Sequence, residues 1–599
     1  MRSSELRHDS SIESEVSRHG RPRTEPNLAG KREVDLYVRT YNTLLRSTGP
    51  IKIETLVPAH LNIESSLHAG AAEPIPDGAA EPIPDMNAFM YSTMRLPRSI
   101  VHTRHIALGQ SPYVFARHGY DDLENWEPVT APGRRRRWYD NGEGTLAVYV
   151  ASTSDLDDLL PTIVAWQIEW NKMHTIFQES PSLMEMVEDR DITEDEEPAI
   201  RDALGMTDRD WDRLKTAWGS EFADTIRCIA RERKRLTIQM HGGTYAGYTR
   251  STRSWWRPIE RLLREKSLDD RPLYFVSSNT HSIVNTLSGT ARRRRDQLVQ
   301  YVEETQDPEL IEELEKLRSG DTRSSWDNFL YFSARQFFHD HPEQRRARND
   351  EEETVGITSI DPGSVLDADV QIIEVNKLSP DGFDPRLAAL GTIDPSQSDA
   401  VIVNINYPLG MSAYHILNQI AINTHQLKGI YVLGKAATLN ARIGDVMLSD
   451  VVYDEHSGNT YWFQNVFASE DFSPFLVYGS ALDHQRAVTV LGTYLQNREY
   501  LDFFYRENFT VVEMEAGPYL SAIFEDTFLT RFGHNENVNL VELPFDLGII
   551  HYASDTPYTR AQTLGARGLS YYGMDSTYAS TLLILQRIFE LTGVLSRDT

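Results

Sequence analysis

Three short stretches carry residue types suited to chemistry on a small polar ligand. In Phe509-Thr510-Val511-Val512-Glu513-Met514-Glu515-Ala516-Gly517, an apolar strand runs into two carboxylates separated by one methionine, and Pro518 then opens a helix. Alternation along a strand sends Glu513 and Glu515 to one side and Met514 to the other. Open α/β sheets place their ligands in the crevice beyond the carboxyl ends of their strands. A second apolar strand, Leu547 to Ala553, ends in Ser554-Asp555. A third, Gly429 to Leu433, is expected to run into a loop of small residues, Gly434-Lys435-Ala436-Ala437-Thr438, interrupted by one lysine. Carboxylates in a dry cleft grip hydroxyls or hold a proton for transfer, and a lone lysine among small residues suits an anion.

In this order, the three motifs resemble the nucleoside phosphorylase/nucleosidase superfamily, which includes purine nucleoside and uridine phosphorylases, methylthioadenosine nucleosidases and AMP nucleosidase. The resemblance spans roughly the last 235 residues, a single-domain size. It implies a mixed, twisted central sheet flanked by helices. It also implies Asp555 as the general acid that protonates a purine at N7, positioned by Ser554, and Glu515 as the ligand of the ribose 2′ and 3′ hydroxyls. Met514 would then lie under the sugar. Glu513 would stand near the sugar or base and orient a water, and Tyr494, after Val488 to Thr493, would stack on the base. At the anion subsite the sequence departs from the pattern. Val432 stands where one large subgroup has arginine, and Lys435 follows Gly434 where serine or threonine is usual. Lys435 is therefore expected to meet the 5′-phosphate of a nucleotide or to replace the missing arginine in phosphorolysis, with Thr438, Arg442 and His415 as secondary candidates.

The activity this implies is hydrolytic release of the free base from a purine nucleoside or nucleotide, without metal or cofactor. The alternatives are a phosphate-dependent phosphorylase, which would add inorganic phosphate as a ligand, and a nucleotide sensor that has kept the fold without turnover. The resemblance further implies a homo-oligomer, and the layout, with an unrelated N-terminal half, is similar to that of AMP nucleosidase.

The elements that must hold these residues lie in a chain of 599 residues, long enough for more than one domain, with 40% apolar and 25% charged residues. A net charge of −28 argues against a nucleic-acid polymer as partner and leaves room for a local cationic pocket. The single cysteine, Cys228, excludes a disulfide framework and a cysteine metal site. With no apolar run of transmembrane length and no signal-peptide core, a cytoplasmic protein without membrane contact is expected.

Residues 1–32 are charged and serine-rich and read as a disordered tail. Residues 33–69 have helical spacing. Residues 70–85 repeat Gly-Ala-Ala-Glu-Pro-Ile-Pro-Asp twice and read as a semi-rigid linker. Residues 86–350 are expected to form a mixed, mainly helical α+β domain of unassigned role. Its recognisable strands are 144–150 and 273–276, and Ser154 is read as the cap of a long helix. The arginine runs Arg134 to Arg137 and Arg292 to Arg295 read as salt-bridged faces. Ser277 to His281 read as the lining of a second small-molecule site or as a helix cap, and Cys228 as a small buried hydrophobe. A charge-dense stretch near 340–356 marks the boundary, and 357–599 alternates strand and helix as α/β domains do.

Overall fold

The computed structural model describes residues 29–71, 83–187, 192–363, 366–528, 530–531, 533–556 and 571–596. Residues 1–28 of the expected tail and residues 72–82 of the expected linker lie outside these. The tail reading ends too late, because a helix already begins at Ala29 and runs to Leu44. It buries Tyr37 and Tyr41 completely.

Two sheets organise the chain. The first contains β1 (Ile51–Lys52), β2 (His105–Gly109), β3 (Glu127–Ala131), β4 (Arg134–Asp140), β5 (Thr145–Tyr149) and β6 (Thr237–His241), in the order β1-β6-β2-β5-β4-β3. Of these six, only β5 was recognisable in the sequence, so this half holds a larger sheet than "mainly helical" implied. Its long helix, Thr153–Glu179, starts one residue before the expected cap. Asp155 reaches back to accept from the N–H groups of Ala151 and Ser152 at 2.8 and 3.1 Å. Leu159, Ile163, Trp170 and Met173 on this helix are fully buried, each contributing roughly 1.5–3 kcal/mol of transfer free energy. Cys228 is only half-buried.

The second sheet contains β7 (Leu273–Ser278), β8 (Ile357–Ile360), β9 (Val370–Glu374), β11 (Val401–Asn406), β12 (Leu427–Thr438), β13 (Val446–Asp454), β14 (Thr460–Phe463), β15 (Ala481–Thr489), β16 (Val511–Glu513), β17 (Asn537–Leu540) and β18 (Asp546–Asp555). A separate two-stranded ribbon pairs β10 (Thr392–Ile393) with β19 (Leu595–Ser596). The large sheet runs β17-β14-β13-β15-β16-β12-β7-β11-β9-β8. Strand β18 pairs with both β12 and β13, so β12, β16, β15, β13 and β18 close into a ring. This is the mixed α/β sheet flanked by helices that the sequence implied.

Two expectations need correction. The boundary near 350–357 does not separate the sheets, because β7 lies between β12 and β11 and is parallel to both. The stretch 434–438, expected as a loop, is the end of the twelve-residue β12. Pairing with β18 carries the strand on past Leu433, Gly434 facing His551 and Lys435 facing Tyr552. Glycine is needed at 434, since a Cβ there would stand 2.1 Å from the Tyr407 hydroxyl.

Candidate functional site

A cavity of about 960 Å³ opens where β12, β16 and β18 end. Its lining brings together Gly434, Lys435, Glu513, Met514, Glu515, Ser554 and Asp555, seven of the nine residues singled out in the sequence. A bulge helps to place the last two. Ala436 pairs with Ala553 and Ala437 with Asp555, leaving Ser554 as the extra residue. A bulge bends its strand and re-aims the side chains beside it. The Ser554 hydroxyl donates to Asp555 Oδ2 at 2.8 Å, with the Ala436 carbonyl 3.3 Å away.

The two glutamates differ in their surroundings. Glu515 is buried and lines the cavity, its Oε1 accepting from the Gly410 N–H at 3.0 Å. Burial raises its carboxyl to about 7, although the Gly410 N–H, the Tyr407 hydroxyl and the Arg134 charge pull the other way. Glu513 Oε2 accepts from the N–H groups of Glu515 and Ala516, both at 2.6 Å, and so caps the helix Ala516–Phe528. The Thr489 hydroxyl donates to its other oxygen. Burial, then the neighbouring Glu515 charge, raises Glu513 to about 8. Both of its oxygens accept hydrogen bonds within the protein, and Glu513 lines the cavity beside Glu515.

These elevated carboxyls have a consequence for stability. A carboxyl that binds its proton more tightly when folded stabilises the fold fully below its unfolded value, 4.5 here, and loses that contribution as pH rises through its folded value. Glu513→Gln keeps the shape without the ionisation. Its melting temperature relative to wild type is expected to climb steadily as pH rises from 4.5 through about 8. A difference that stays constant across that range in thermal unfolding would rule out a buried, proton-holding Glu513.

Lys435 is exposed and lines the cavity, and no side-chain hydrogen bond or ion pair holds its ammonium among the described residues. Surrounding protein pushes its pKa down, with Asp555 opposing and the charges of Arg335, Arg95 and Arg134 adding to the depression. It is a cation held among cations.

Two expected ligands lie elsewhere. Tyr494 is packed into the first half of the chain, its hydroxyl donating to the Ala88 carbonyl at 2.8 Å and 2.6 Å from the Ser92 hydroxyl. The adjoining Thr493 lines the cavity instead. Thr438 is buried outside it, accepting from the Ala441 N–H at 2.9 Å. Arg442 is not among the lining residues, and neither is His415, which packs among Tyr245, Tyr248 and Tyr414.

The far walls were missed. Arg95, Arg134, Arg135 and Arg136 enter from the first sheet and its neighbours, and Arg335, Arg345 and Arg348 from the helices Trp326–Asp340 and Pro342–Thr354. The run 134–137 was the available signal. Arg134 grips Asp158 through two bonds of 2.9 and 2.7 Å, and Arg136 bridges Asp155 and Asp158 at 2.9 and 2.7 Å. Burial opposes ionisation of Asp158, but Arg134 and Arg136 outweigh it and hold that carboxyl far below its usual range. Ser278 to His281 line this same cavity rather than a second one, and Asn279 Oδ1 accepts from the N–H groups of His281 and Ser282 as a helix cap does.

A buried chain of hydrogen bonds supports Glu515 from behind. Asp454 Oδ1 lies 2.9 Å from His456 Nδ1, and His456 Nε2 lies 3.2 Å from Ser154 Oγ. That hydroxyl accepts from the Met411 N–H at 2.9 Å, one residue beyond the Gly410 that holds Glu515. The spacing is that of a nucleophilic triad, but Ser154 is completely buried and is not among the residues lining the cavity. Burial lowers the His456 pKa, and Asp454 with Asp157 and Glu455 more than reverses this. The chain ties the first half's long helix to the Gly410 turn.

Fold and cavity together define an α/β protein with a polar, arginine-rich cavity at its strand ends. Solved structures similar to it include a 5′-methylthioadenosine/S-adenosylhomocysteine nucleosidase from Neisseria meningitidis in complex with methylthio-immucillin-A, at 12% identity and a TM-score of 0.27, covering 41% of this chain and 94% of that one. The Campylobacter jejuni 5′-methylthioadenosine/S-adenosylhomocysteine nucleosidase is similar at 13% identity and a TM-score of 0.25, covering 40% and 92%. Uridine phosphorylase from Schistosoma mansoni is similar at 10% and 0.24, covering 34% and 73%. No curated protein matches the sequence. The chain belongs to DUF6909, a family of unknown function, whose model matches residues 53–590 and so runs through both sheets. No described helix is long and apolar enough to cross a membrane.

Proposed function

We propose that the protein hydrolyses the N-glycosidic bond of a purine nucleotide. The supporting observation is that Lys435, Met514, Glu515, Ser554 and Asp555, spread over 121 positions of the sequence, line one cavity at the ends of three strands. Glu515 holds the ribose hydroxyls while C1′ becomes oxocarbenium-like. The C1′–N9 bond breaks with its electron pair passing to the base, and Asp555 delivers a proton to N7. Water adds to C1′ and returns a proton to Asp555, so the products are the free base and the ribose phosphate. Lys435, with arginines around it, meets the phosphate.

The test is chromatography of the purified protein with AMP, ATP, adenosine and inosine, each with and without phosphate. Free base without phosphate is the expected result. Base released only with phosphate would make the reaction phosphorolysis, and saturable binding without product would make the protein a sensor. Lys435→Ala is expected to raise KM for nucleotides by about 10- to 100-fold, the worth of one charge-assisted hydrogen bond, while changing KM for nucleosides little. Equal effects on both would remove Lys435 from the phosphate.

A further inference from the structure

The cavity holds more cation than one phosphate requires. Eight arginine and lysine side chains line it against five carboxylates, in a chain whose net charge is −28. Two of those carboxylates, Glu513 and Glu515, are pushed up to about 8 and about 7, which removes further negative charge near neutral pH. Some of the cations are spoken for, since Arg134 and Arg136 are tied to Asp155 and Asp158. Others are not. Arg335 and Arg345 make no side-chain hydrogen bond or ion pair among the described residues. Arg95 lies 3.3 Å over the Tyr91 ring and is buried with its Nε unpartnered. A buried guanidinium N–H without an acceptor costs free energy that a bound anion would recover. Clusters of like charge around a cleft also repel one another, and are relieved when an anion binds.

The cations come from two parts of the chain, and the charges of Arg335 from one and of Arg95 and Arg134 from the other all reach Lys435. Arg95 and Arg134 belong to the side of the first sheet, where the Arg134 charge reaches Glu515. Arg335 and Arg345 come from the consecutive helices Trp326–Asp340 and Pro342–Thr354, the second of which also carries Arg348, holding Glu352 at 3.3 Å. Burial pushes the His281 ring down to about 3, and the charges of Arg335 and Arg348 add to this, so the second group faces the loop after β7. At about 960 Å³ the cavity is near the upper end of the ~300–1,000 Å³ typical of small-molecule sites. There is room for a ligand longer than a nucleoside monophosphate.

Resting on the nucleotide reading above, we propose that the substrate is a nucleoside polyphosphate, whose phosphates beyond the first are held by Arg335 and Arg345. Lys435, which feels the charges of Asp555 and of Arg335, meets the first phosphate. Monophosphates bind in the same site without the contacts at the far wall.

The experiment compares kcat/KM for ATP and AMP in the full chain, and measures binding of both by calorimetry with inorganic tripolyphosphate as competitor. Wild type is expected to favour ATP over AMP about 100-fold. Arg335→Ala with Arg345→Ala is expected to collapse that ratio by about 100-fold, two charge-assisted contacts at roughly 10-fold each. Arg335→Lys should retain part of the preference, which separates charge from folding. Equal preference in wild type, or a matched fall for ATP and AMP in the double variant, would overturn the proposal. If neither nucleotide releases base, the nucleosidase reading fails. The inference is then judged by binding alone, where tighter ATP that weakens selectively in the double variant sustains it and equal affinities end it. A variant effect confined to phosphate-dependent base release would assign these arginines to free phosphate and also overturn it.

Discussion

Replacing Asp555 with asparagine is expected to lower kcat for base release by about 10²–10⁴-fold, the usual worth of a positioned general acid. Substrate affinity should change by less than about threefold, because an asparagine keeps the hydrogen-bonding shape and removes only the transferable proton. Asp555 sits at the end of β18 beside a bulge, with the Ser554 hydroxyl donating to it at 2.8 Å. The substitution therefore isolates chemistry from architecture. Single-turnover base release with calorimetric binding separates the two quantities. An unchanged kcat would remove Asp555 as the acid, and a parallel loss of binding would make it a substrate ligand instead.

Glu515→Gln is expected to cut kcat/KM by roughly 10²–10⁴-fold, two charge-assisted hydrogen bonds to the ribose at 1.5–3 kcal/mol each. The pH profile adds a sharper signature. The carboxylate form grips the hydroxyls, and burial has raised this carboxyl to about 7. In wild type kcat/KM should therefore climb about tenfold per pH unit below about 7 and level off above it, reporting the free enzyme. The glutamine variant should lose that limb. A limb that survives in the variant would belong to another group and would displace Glu515 from the ribose.

Where local chemistry dictates its own neighbourhood, the sequence was readable. The strand ending in Glu513 and the strand ending in Ser554-Asp555 each announce themselves by an apolar run that stops at polar residues, and both meet at the cavity. The Gly434 segment was misjudged because small residues signal loops when read alone. Pairing with β18 on one side and β16 on the other makes the same residues a strand. Tyr494 was misplaced for a similar reason. An aromatic after a strand suits a base, but Ala88 and Ser92, some 400 positions away, take its hydroxyl. The cationic walls were hidden most deeply. Arg134 to Arg137 look like an exposed face until two aspartates one helix away, Asp155 and Asp158, draw alternate members inward. Arg335 and Arg345 lie on helices whose other faces account for their pattern, and nothing local marks the side that meets the cavity.

The position of β7 has a consequence for how the chain is made. Synthesis completes residues 273–278 about 120 positions before β11 and 150 before β12, the two strands between which it lies. Until β11 has emerged its backbone N–H and C=O groups face no partner on either edge, and until β12 follows one edge stays open. The first sheet can form from residues already outside the ribosome, its last strand ending at His241. Assembly therefore proceeds unevenly, with one finished layer carrying an orphaned strand that waits for the remainder. The same wait means that a chain interrupted anywhere before residue 438 lacks part of the centre of its larger sheet, and a cut at the expected boundary near 350–357 takes β7 away from the strands on either side of it.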